Sequence, residues 1–213
     1  MPRLYLLGGE NVNKRSAWEV NEKAFQDAGG HPSVVVFPWA RASFDRPYHK
    51  RKVLSDYFIS LGAATVDFTE YSDSKDAIAG KIASSNLIYL TGGLVNALVE
   101  RLRKMGVDDL LRDYPGVIVG RSAGALALCR KCVITSRWKQ KSLMIDGLGL
   151  ADLTLKAHYR PKRDKTLLFL SEKEKIYALP SRSAIVYENG ACWLIGKAYL
   201  FENGVKSMLT SFS

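Results

Sequence analysis

The stretch YPGVIVGRSAGALALC, residues 114 to 129, carries a G-x-S-x-G pattern around Ser122, directly after an apolar run. The run Val117–Val119 predicts a buried strand, and the small apolar residues that follow Ser122 predict a helix. This pattern is typical of a sharp strand-to-helix turn that lifts a serine hydroxyl out of a sheet. Ser122 is therefore a candidate nucleophile at the carboxyl end of a strand.

Short apolar runs alternate with helical segments in the part of the chain that precedes Ser122. The runs lack polar alternation, which is typical of strands buried on both faces. The intervening helices have ten or more residues, the length that a crossover between parallel strands needs. This order predicts an α/β fold with a doubly wound, mostly parallel sheet and helices on both faces. The predicted strands are Arg3–Leu7, Ser33–Phe37, Thr65–Phe68, Asn86–Leu90 and Val117–Val119.

The chain changes character after about residue 176, where short strands are separated by tight Asn-Gly turns. The segments Ala184–Glu188, Cys192–Ile195 and Ala198–Phe201 predict a small C-terminal antiparallel extension. Of the 213 residues, 47% are hydrophobic, and no linker-like stretch divides them. We therefore expect a single domain over residues 1–213, and the sequence leaves a homo-oligomer open.

The formal net charge is +10, from 31 Lys and Arg residues against 21 Asp and Glu residues. Such a balance favours anionic partners. The basic residues are scattered, and none of their runs matches a nucleic-acid-binding module, which argues against nucleic acid as the partner. No apolar stretch has the length of a membrane helix, and the start of the chain does not fit a signal peptide. We therefore expect a cytoplasmic protein without a membrane partner.

The cysteines give no indication of a disulfide framework, because there are three and they are unevenly spaced. Cys129 and Cys132 have C-x-x-C spacing, but no second pair supplies the further ligands that a zinc site needs. We expect both to be reduced structural thiols. Neither a metal site nor a cofactor is predicted.

A serine nucleophile needs a base within hydrogen-bond reach, and the chain offers three histidines. His31 precedes a strand, at the wrong end of the sheet, and His49 lies in a basic run. His158 follows the apolar segment Leu153–Ala157, whose carboxyl end is expected at the same sheet edge as Ser122. His158 lies only 36 positions after Ser122, which leaves too little chain for the strands and helices that an α/β-hydrolase places between its serine and its histidine. His158 is therefore the candidate base, on a different fold.

Five blocks of the sequence occur, in this order, in one known family. TGG at 91–93 lies about thirty residues before GRSAGA, and a histidine lies about thirty-five residues beyond the serine. On these blocks the chain resembles the peptidase E and cyanophycinase family of serine peptidases, whose fold is related to the class I glutamine amidotransferases. The blocks are YLLGGEN (5–11), VVVFPWA (34–40), LIYLTGGLVNAL (87–98), GRSAGALAL (120–128) and AHY (157–159).

The resemblance implies that Ser122 is the nucleophile and His158 the general base. It places the oxyanion hole at the backbone N–H groups of Gly93 and Ala123, in agreement with the glycine loop and the helix start. Amidotransferases carry a cysteine at this turn, so Ser122 argues against glutamine-derived ammonia chemistry. The implied function is hydrolysis of peptide bonds next to aspartate, in dipeptides or acidic peptides, through an acyl-enzyme.

One position departs from the family's pattern. Where the family has the glutamate of its catalytic triad, this sequence has Ser181, so Glu188 or Glu172 is expected to substitute. Without a carboxylate, a catalytic histidine loses its orienting partner and the group that stabilises its charged form. The alternative function is therefore a catalytically impaired member of the fold that binds a small anionic ligand or peptide.

An acidic peptide substrate requires cationic side chains at the site. Arginine is suited to this role, because its planar fork matches a carboxylate. We expect substrate contacts from Arg41 and Arg121, which lie in the motif loops, and from Arg160 and Arg163, which follow His158.

Overall fold

A computed structural model describes residues 1–135 and 142–212 of the chain. The described residues form thirteen strands, seven α-helices and two 3-10 turns, at Val12–Lys14 and Pro161–Arg163. The strands are β1 (Arg3–Leu7), β2 (Ser33–Phe37), β3 (Thr65–Phe68), β4 (Leu87–Leu90), β5 (Val117–Arg121), β6 (Cys129–Thr135), β7 (Ser142–Asp146), β8 (Ala151–Lys156), β9 (Ile176–Ala178), β10 (Ala184–Glu188), β11 (Ala191–Ile195), β12 (Ala198–Glu202) and β13 (Val205–Leu209). The helices are α1 (Trp18–Asp27), α2 (Arg51–Ser60), α3 (Lys75–Ala83), α4 (Val95–Lys104), α5 (Val107–Arg112), α6 (Ala123–Leu128) and α7 (Asp164–Ser171).

Seven strands form the first sheet, in the order β11-β10-β1-β5-β4-β2-β3. The strands β1 to β5 are parallel, and β10 and β11 add to β1 in antiparallel orientation. Side chains of the parallel strands alternate between two cores. Leu90 and Ile118 belong to the core that includes residues of α4 and α6, whereas Tyr5 and Val119 belong to the core that includes residues of α1 and α2. The predicted doubly wound α/β sheet with helices on both faces is confirmed.

Six strands form a second sheet, in the order β13-β12-β9-β8-β6-β7. Its central strands β6, β8 and β9 are parallel, and the others pair antiparallel. The expected C-terminal antiparallel strands are present, but they are divided between the sheets. The strands β10 and β11 extend the first sheet, while β12 and β13 extend the second. The second sheet was not foreseen, because the start of β6 reads as the end of the helix after Ser122.

Backbone hydrogen bonds join the second sheet to the carboxyl edge of the first. The N–H of His158 donates to the carbonyl oxygen of Gly8 at 2.8 Å, and the N–H of Arg182 donates to that of Gly9 at 2.8 Å. Gly8 and Gly9 directly follow β1, whereas His158 and Arg182 follow β8 and β9. The segments that leave the second sheet are therefore held at the end of the first sheet where Ser122 lies.

The two closely spaced cysteines are buried thiols. The Sγ atoms of Cys129 and Cys132 donate to the carbonyl oxygens of Ala125 and Leu126, at 3.2 and 2.9 Å. Burial raises the pKa of both thiols, which makes them unreactive. Within residues 1–135 and 142–212, no group of side chains is arranged to hold a metal ion, and no helix has the length and apolar character to cross a membrane. The cytoplasmic location stays a prediction.

Glu174, just before β9, is hydrogen-bonded to residues of β6 and β8 in the second sheet. Its carboxylate accepts hydrogen bonds from Arg130 Nη2 at 2.6 Å, Lys131 Nζ at 2.5 Å and Thr154 Oγ1 at 2.9 Å. Burial alone would raise the pKa of Glu174, but these donors outweigh it and lower the pKa to about 2. Because the unfolded carboxyl has the higher pKa, this stabilisation is present above about pH 4.5 and is lost as the pH falls toward 2.

We expect Glu174→Gln to lower the free energy of unfolding at pH 7 by about 1–3 kcal/mol, because a neutral amide cannot replace the charge-assisted bonds. The difference from wild type should shrink between pH 5 and pH 2.5, as measured by urea denaturation. Asp152→Asn is the matched control, since Asp152 pairs with the same Arg130 but its side chain is 79% exposed. That control should change stability by less than about 0.5 kcal/mol, and equal effects of the two variants would contradict the role of Glu174.

Candidate active site

The backbone turns sharply at Ser122, between β5 and α6. Ser122 has φ 54° and ψ −104°, a conformation that costs a residue with a side chain about 1–3 kcal/mol. Its N–H donates to the carbonyl oxygen of Leu7 at 2.9 Å, and its own carbonyl accepts from the N–H of Leu126 at 3.0 Å. These bonds hold the half-buried serine at the carboxyl edge of the first sheet.

The glycines on either side of Ser122 let α6 lie directly on the first sheet. A Cβ atom at Gly120 would be 2.6 Å from the backbone nitrogen of Ala125, and one at Gly124 would be 2.3 Å from the carbonyl oxygen of Leu90. Neither distance is possible for a real side chain without a shift of the backbone. The G-x-S-x-G spacing is therefore a packing requirement of this turn.

The loop after β4 brings two further glycines to the same edge. Gly93 has a φ of 151°, and a Cβ atom there would be 1.9 Å from the carbonyl oxygen of Ala40. That oxygen accepts a hydrogen bond from the N–H of Leu94 at 2.6 Å. A Cβ atom at Gly92 would be 3.2 Å from the Cβ of Ser122. The glycine loop thus passes directly beside the serine.

His158 reaches this edge from the second sheet, two residues after β8 ends. Its backbone has a positive φ of 51°. Its imidazole lies against the backbone of Gly9, where an added Cβ atom would be 2.1 Å from Cε1. The Nδ1 atom is 3.2 Å from the hydroxyl oxygen of Ser181. In the tautomer whose Nδ1–H donates to Ser181, Nε2 is the basic ring nitrogen.

Ser122, His158 and Ser181 line one cleft of about 1380 Å³. Gly93 and Ala123 line the same cleft, so the structure brings together the residues predicted as nucleophile, base and oxyanion hole. The charged side chains of the cleft are mainly cationic, with six cations against two carboxylates among the described residues. The cationic residues are Lys14, Lys156, Arg160, Lys162, Arg163 and Arg182.

Sequence comparison identifies the family of the chain. The model of peptidase family S51 matches residues 4–195, nearly the whole chain. The chain belongs to peptidase family S51. It is a serine peptidase of the peptidase E type, and the resemblance seen in the sequence blocks is confirmed.

Two uncharacterized peptidases of Listeria share part of the sequence of this S51 chain. An uncharacterized peptidase of Listeria monocytogenes serovar 1/2a is 27% identical over 139 residues, which are 59% of this chain and 68% of that protein. Another, from Listeria innocua serovar 6a, is 29% identical over 107 residues, 46% of this chain and 51% of that protein. The chain therefore aligns with about half the length of the second relative.

Two solved structures share the fold over nearly the full length of the S51 chain. A peptidase from an acI-B1 Actinobacterium superposes with a TM-score of 0.73 at 20% identity, covering 100% of this chain and 97% of the other. A protein assigned to peptidase E from Listeria monocytogenes EGD-e gives 0.70 at 21% identity, covering 92% and 98%. At this level of identity the likeness concerns the fold.

Neither of the two glutamates expected to serve in place of the family's triad acid reaches His158. Glu188 ends β10, which runs antiparallel to β1, and it accepts a hydrogen bond at 2.8 Å from Arg3 at the start of β1. It thus lies at the end of the first sheet opposite Ser122. Glu172 is exposed at the C-terminal end of α7. The expectation that Glu188 or Glu172 completes the site is corrected, and Ser181 holds that place.

Two of the four arginines expected to bind substrate lie away from the cleft. Arg41 donates to backbone carbonyls of its own loop. Arg121 is 6% exposed and lies beside the phenol of Tyr89, on the face of β5 that packs on α1. Neither is among the residues that line the cleft, so the expectation for both is corrected. Arg160 and Arg163, which directly follow the histidine segment, do line it.

Four cationic residues of the cleft were not expected from the sequence, namely Lys14, Lys156, Lys162 and Arg182, and Lys156 is the buried one among them. Lys156 is the last residue of β8 and is 6% exposed, yet it lines the cleft. In the sequence, Asp152, Thr154 and Lys156 alternate with apolar residues, a pattern that predicts a solvent-exposed face of the strand. Its position two residues before His158 is the signal that would have found it.

We expect Gly124→Ala to lower the free energy of unfolding by about 1–3 kcal/mol, because the added methyl group must displace the backbone at Leu90. The same displacement moves Ser122, so peptidase activity should fall as well. Gly80→Ala in α3 is the matched control. A Cβ atom at Gly80 meets no atom within 4 Å, so the substitution should raise stability by about 0.5–1 kcal/mol. Chemical denaturation of both variants measures the contrast, and a neutral effect at position 124 would contradict the packing argument.

Proposed function

We propose that this S51 peptidase hydrolyses peptide bonds next to aspartate, through an acyl-enzyme on Ser122. The observation that carries the proposal is the shared cleft. There the serine, held at a positive φ, and His158 stand at the junction of the two sheets beside the glycine loop. A serine at neutral pH needs a neighbouring base, and this cleft supplies a histidine.

The first chemical step is attack of Ser122 Oγ on the peptide carbonyl, while His158 Nε2 takes the hydroxyl proton. The new oxyanion accepts hydrogen bonds from the N–H groups of Gly93 and Ala123. Ala123 occupies the first position of α6, where an N–H has no partner within the helix. The protonated histidine then gives its proton to the leaving amine. Water, deprotonated by His158, then attacks the ester carbonyl. The bond to Ser122 Oγ breaks, the acid is released, and His158 returns the proton to Oγ.

Ser181 serves as the orienting partner of His158 in this proposal. Its hydroxyl accepts the Nδ1–H and holds the ring in the tautomer that makes Nε2 basic. A neutral hydroxyl orients the ring but stabilises the imidazolium less than a carboxylate does. We therefore expect slower turnover than a serine, histidine and glutamate triad on the same fold would give.

Preference for aspartate is supported by the charge of the cleft. Arg160 and Arg163 enter it from the turn after His158, and the described cleft residues include three times as many cations as carboxylates. An acidic side chain of the substrate offsets this surplus, whereas a basic side chain adds to it. The substrate class that fits is a short peptide with aspartate at the scissile bond.

A second candidate function follows from Ser181. Loss of the acid also fits a member of the family that binds an acidic peptide or small anion and turns it over negligibly. The two functions make the same prediction for binding and opposite predictions for hydrolysis, so turnover by the purified protein separates them.

We expect Ser122→Ala and His158→Ala each to reduce release of aspartate from Asp-Leu by about 10³-fold or more, because either change removes a group that acts in the same step. The measurement is free aspartate released per unit time at saturating dipeptide. His31→Ala is the matched control, as this exposed histidine lies away from the cleft. Wild-type turnover in Ser122→Ala would overturn the mechanism. Dipeptide binding without hydrolysis by the wild-type protein would favour the second function.

Ser181 is tested by two substitutions of opposite effect. We expect Ser181→Ala to lower kcat by about 3–10-fold, the value of one neutral hydrogen bond, and Ser181→Glu to raise kcat, since a carboxylate stabilises the imidazolium. Steady-state kinetics with Asp-Leu measures both. Ser16→Ala changes another serine of the same cleft and should alter kcat less than about twofold. An unchanged kcat in both Ser181 variants would show that this residue does not act through His158.

A further inference from the structure

Lys156 is a buried cation that none of the proposed steps uses. It is 6% exposed, but it lines the cleft two residues before His158. Its Nζ atom donates to the carbonyl oxygen of Ala157 at 2.6 Å. An ammonium group has three N–H donors, and this bond accounts for one of them.

The surroundings of Lys156 make a buried charge costly. Thr154 and Lys156 lie on the face of the second sheet that also carries Ile176 and Ala178, which belong to an apolar cluster with Leu167 of α7. Burial, and to a smaller extent the nearby positive charge of Arg163, lowers the pKa of the Lys156 amine to about 8. Most of the amine is therefore protonated at pH 7. A charged group in such a place is stabilised when an opposite charge joins it.

Two further cations share this part of the cleft. Arg160 and Arg163 line it from the turn that follows His158. Within the part of the chain that the structure describes, no Asp or Glu forms an ion pair with Lys156, Arg160 or Arg163. The adjacent Asp164 instead accepts from Tyr159 Oη at 2.6 Å and pairs with a lysine of β13. The three cations therefore have no described carboxylate to neutralise them.

We propose that Lys156, together with Arg160 and Arg163, forms a carboxylate-binding subsite that holds a carboxylate of the peptide beside His158. The inference rests on the proposed function, because the peptide that acylates Ser122 brings the carboxylate. The buried ammonium binds it as a point charge, while the two guanidinium groups close over it from the rim. Lys156 is thereby a specificity-determining residue.

Equilibrium binding tests the subsite independently of turnover. Calorimetry compares Ser122→Ala with Ser122→Ala/Lys156→Met, since a straight apolar side chain of similar length suits the buried position. We expect Asp-Leu to bind the double variant about tenfold more weakly or worse, the usual effect of losing a charge-assisted contact. Lys162→Met, in the same background, is the matched control, because Lys162 lines the cleft but is exposed. That change should weaken binding less than about twofold.

Two further peptides identify which carboxylate is held. If the aspartate side chain occupies the subsite, Lys156→Met weakens binding of Asp-Leu amide but not of Asn-Leu. If the terminal carboxylate occupies the subsite, Lys156→Met weakens binding of Asn-Leu but not of Asp-Leu amide. Lys156→Arg, which keeps the charge, should retain part of the affinity and exclude a merely structural effect.

The outcomes also separate the subsite from the catalytic proposal. Equal affinity of Asp-Leu for the Ser122→Ala protein with and without Lys156, or no measurable binding to either, overturns the subsite. If binding depends on Lys156 but the wild-type protein releases no aspartate, the subsite stands and the hydrolytic function fails. If the wild-type protein hydrolyses Asp-Leu but binding does not depend on Lys156, the hydrolytic function stands and the subsite fails.

Discussion

The close approach of α6 to the first sheet is the constraint on which the site depends. At positions 120 and 124 the backbone of one element occupies the space where the other would carry a Cβ atom. Because the helix starts so near the strand ends, the chain has no room for a gradual turn, and Ser122 takes a positive φ. The same geometry leaves the first N–H of α6 at the serine. The glycine spacing, the backbone strain and the position of the nucleophile thus all follow from the close packing of α6 on the first sheet.

The second half of the site is held to the first by main-chain contacts. His158 follows a strand of the second sheet, yet its N–H bonds to the carbonyl of Gly8 at the end of β1, and its ring lies on Gly9. Ser181, after β9, reaches the imidazole from the same sheet. The relative position of serine and histidine is consequently set by backbone hydrogen bonds between sheets, which substitutions of side chains disturb little.

Much of this arrangement was predictable from the sequence, because the parallel strands are short apolar runs and the serine turn has its own glycine spacing. His158 was found because the carboxyl ends of parallel strands meet at one edge. The second sheet was not predictable, since its strands pair segments far apart in the chain and β6 begins directly at the end of α6. The expectation that Glu188 lies at the site was wrong for a related reason. The end of the first sheet at which an antiparallel strand finishes depends on a pairing that local sequence does not encode.

Residues whose surroundings depend on burial were the hardest to recognise from the sequence. The alternation of polar residues in β8 predicts a solvent-exposed face, but Leu167 of α7 packs against β9 beside that face, and Lys156 is buried. Arg121 shows the opposite error. Its place next to Ser122 in the sequence suggests the site, whereas side chains alternate across a strand and direct it to the other face.

The surplus of positive charge in the cleft has a consequence before any contact with substrate. Six cationic side chains among the described residues line it, on a chain with a net charge of +10. The field of such a surface extends over roughly 8 Å at physiological salt. It speeds the diffusional encounter of anionic peptides and slows that of cationic ones. Discrimination among peptides therefore begins in the surrounding solvent, and it weakens as the ionic strength rises.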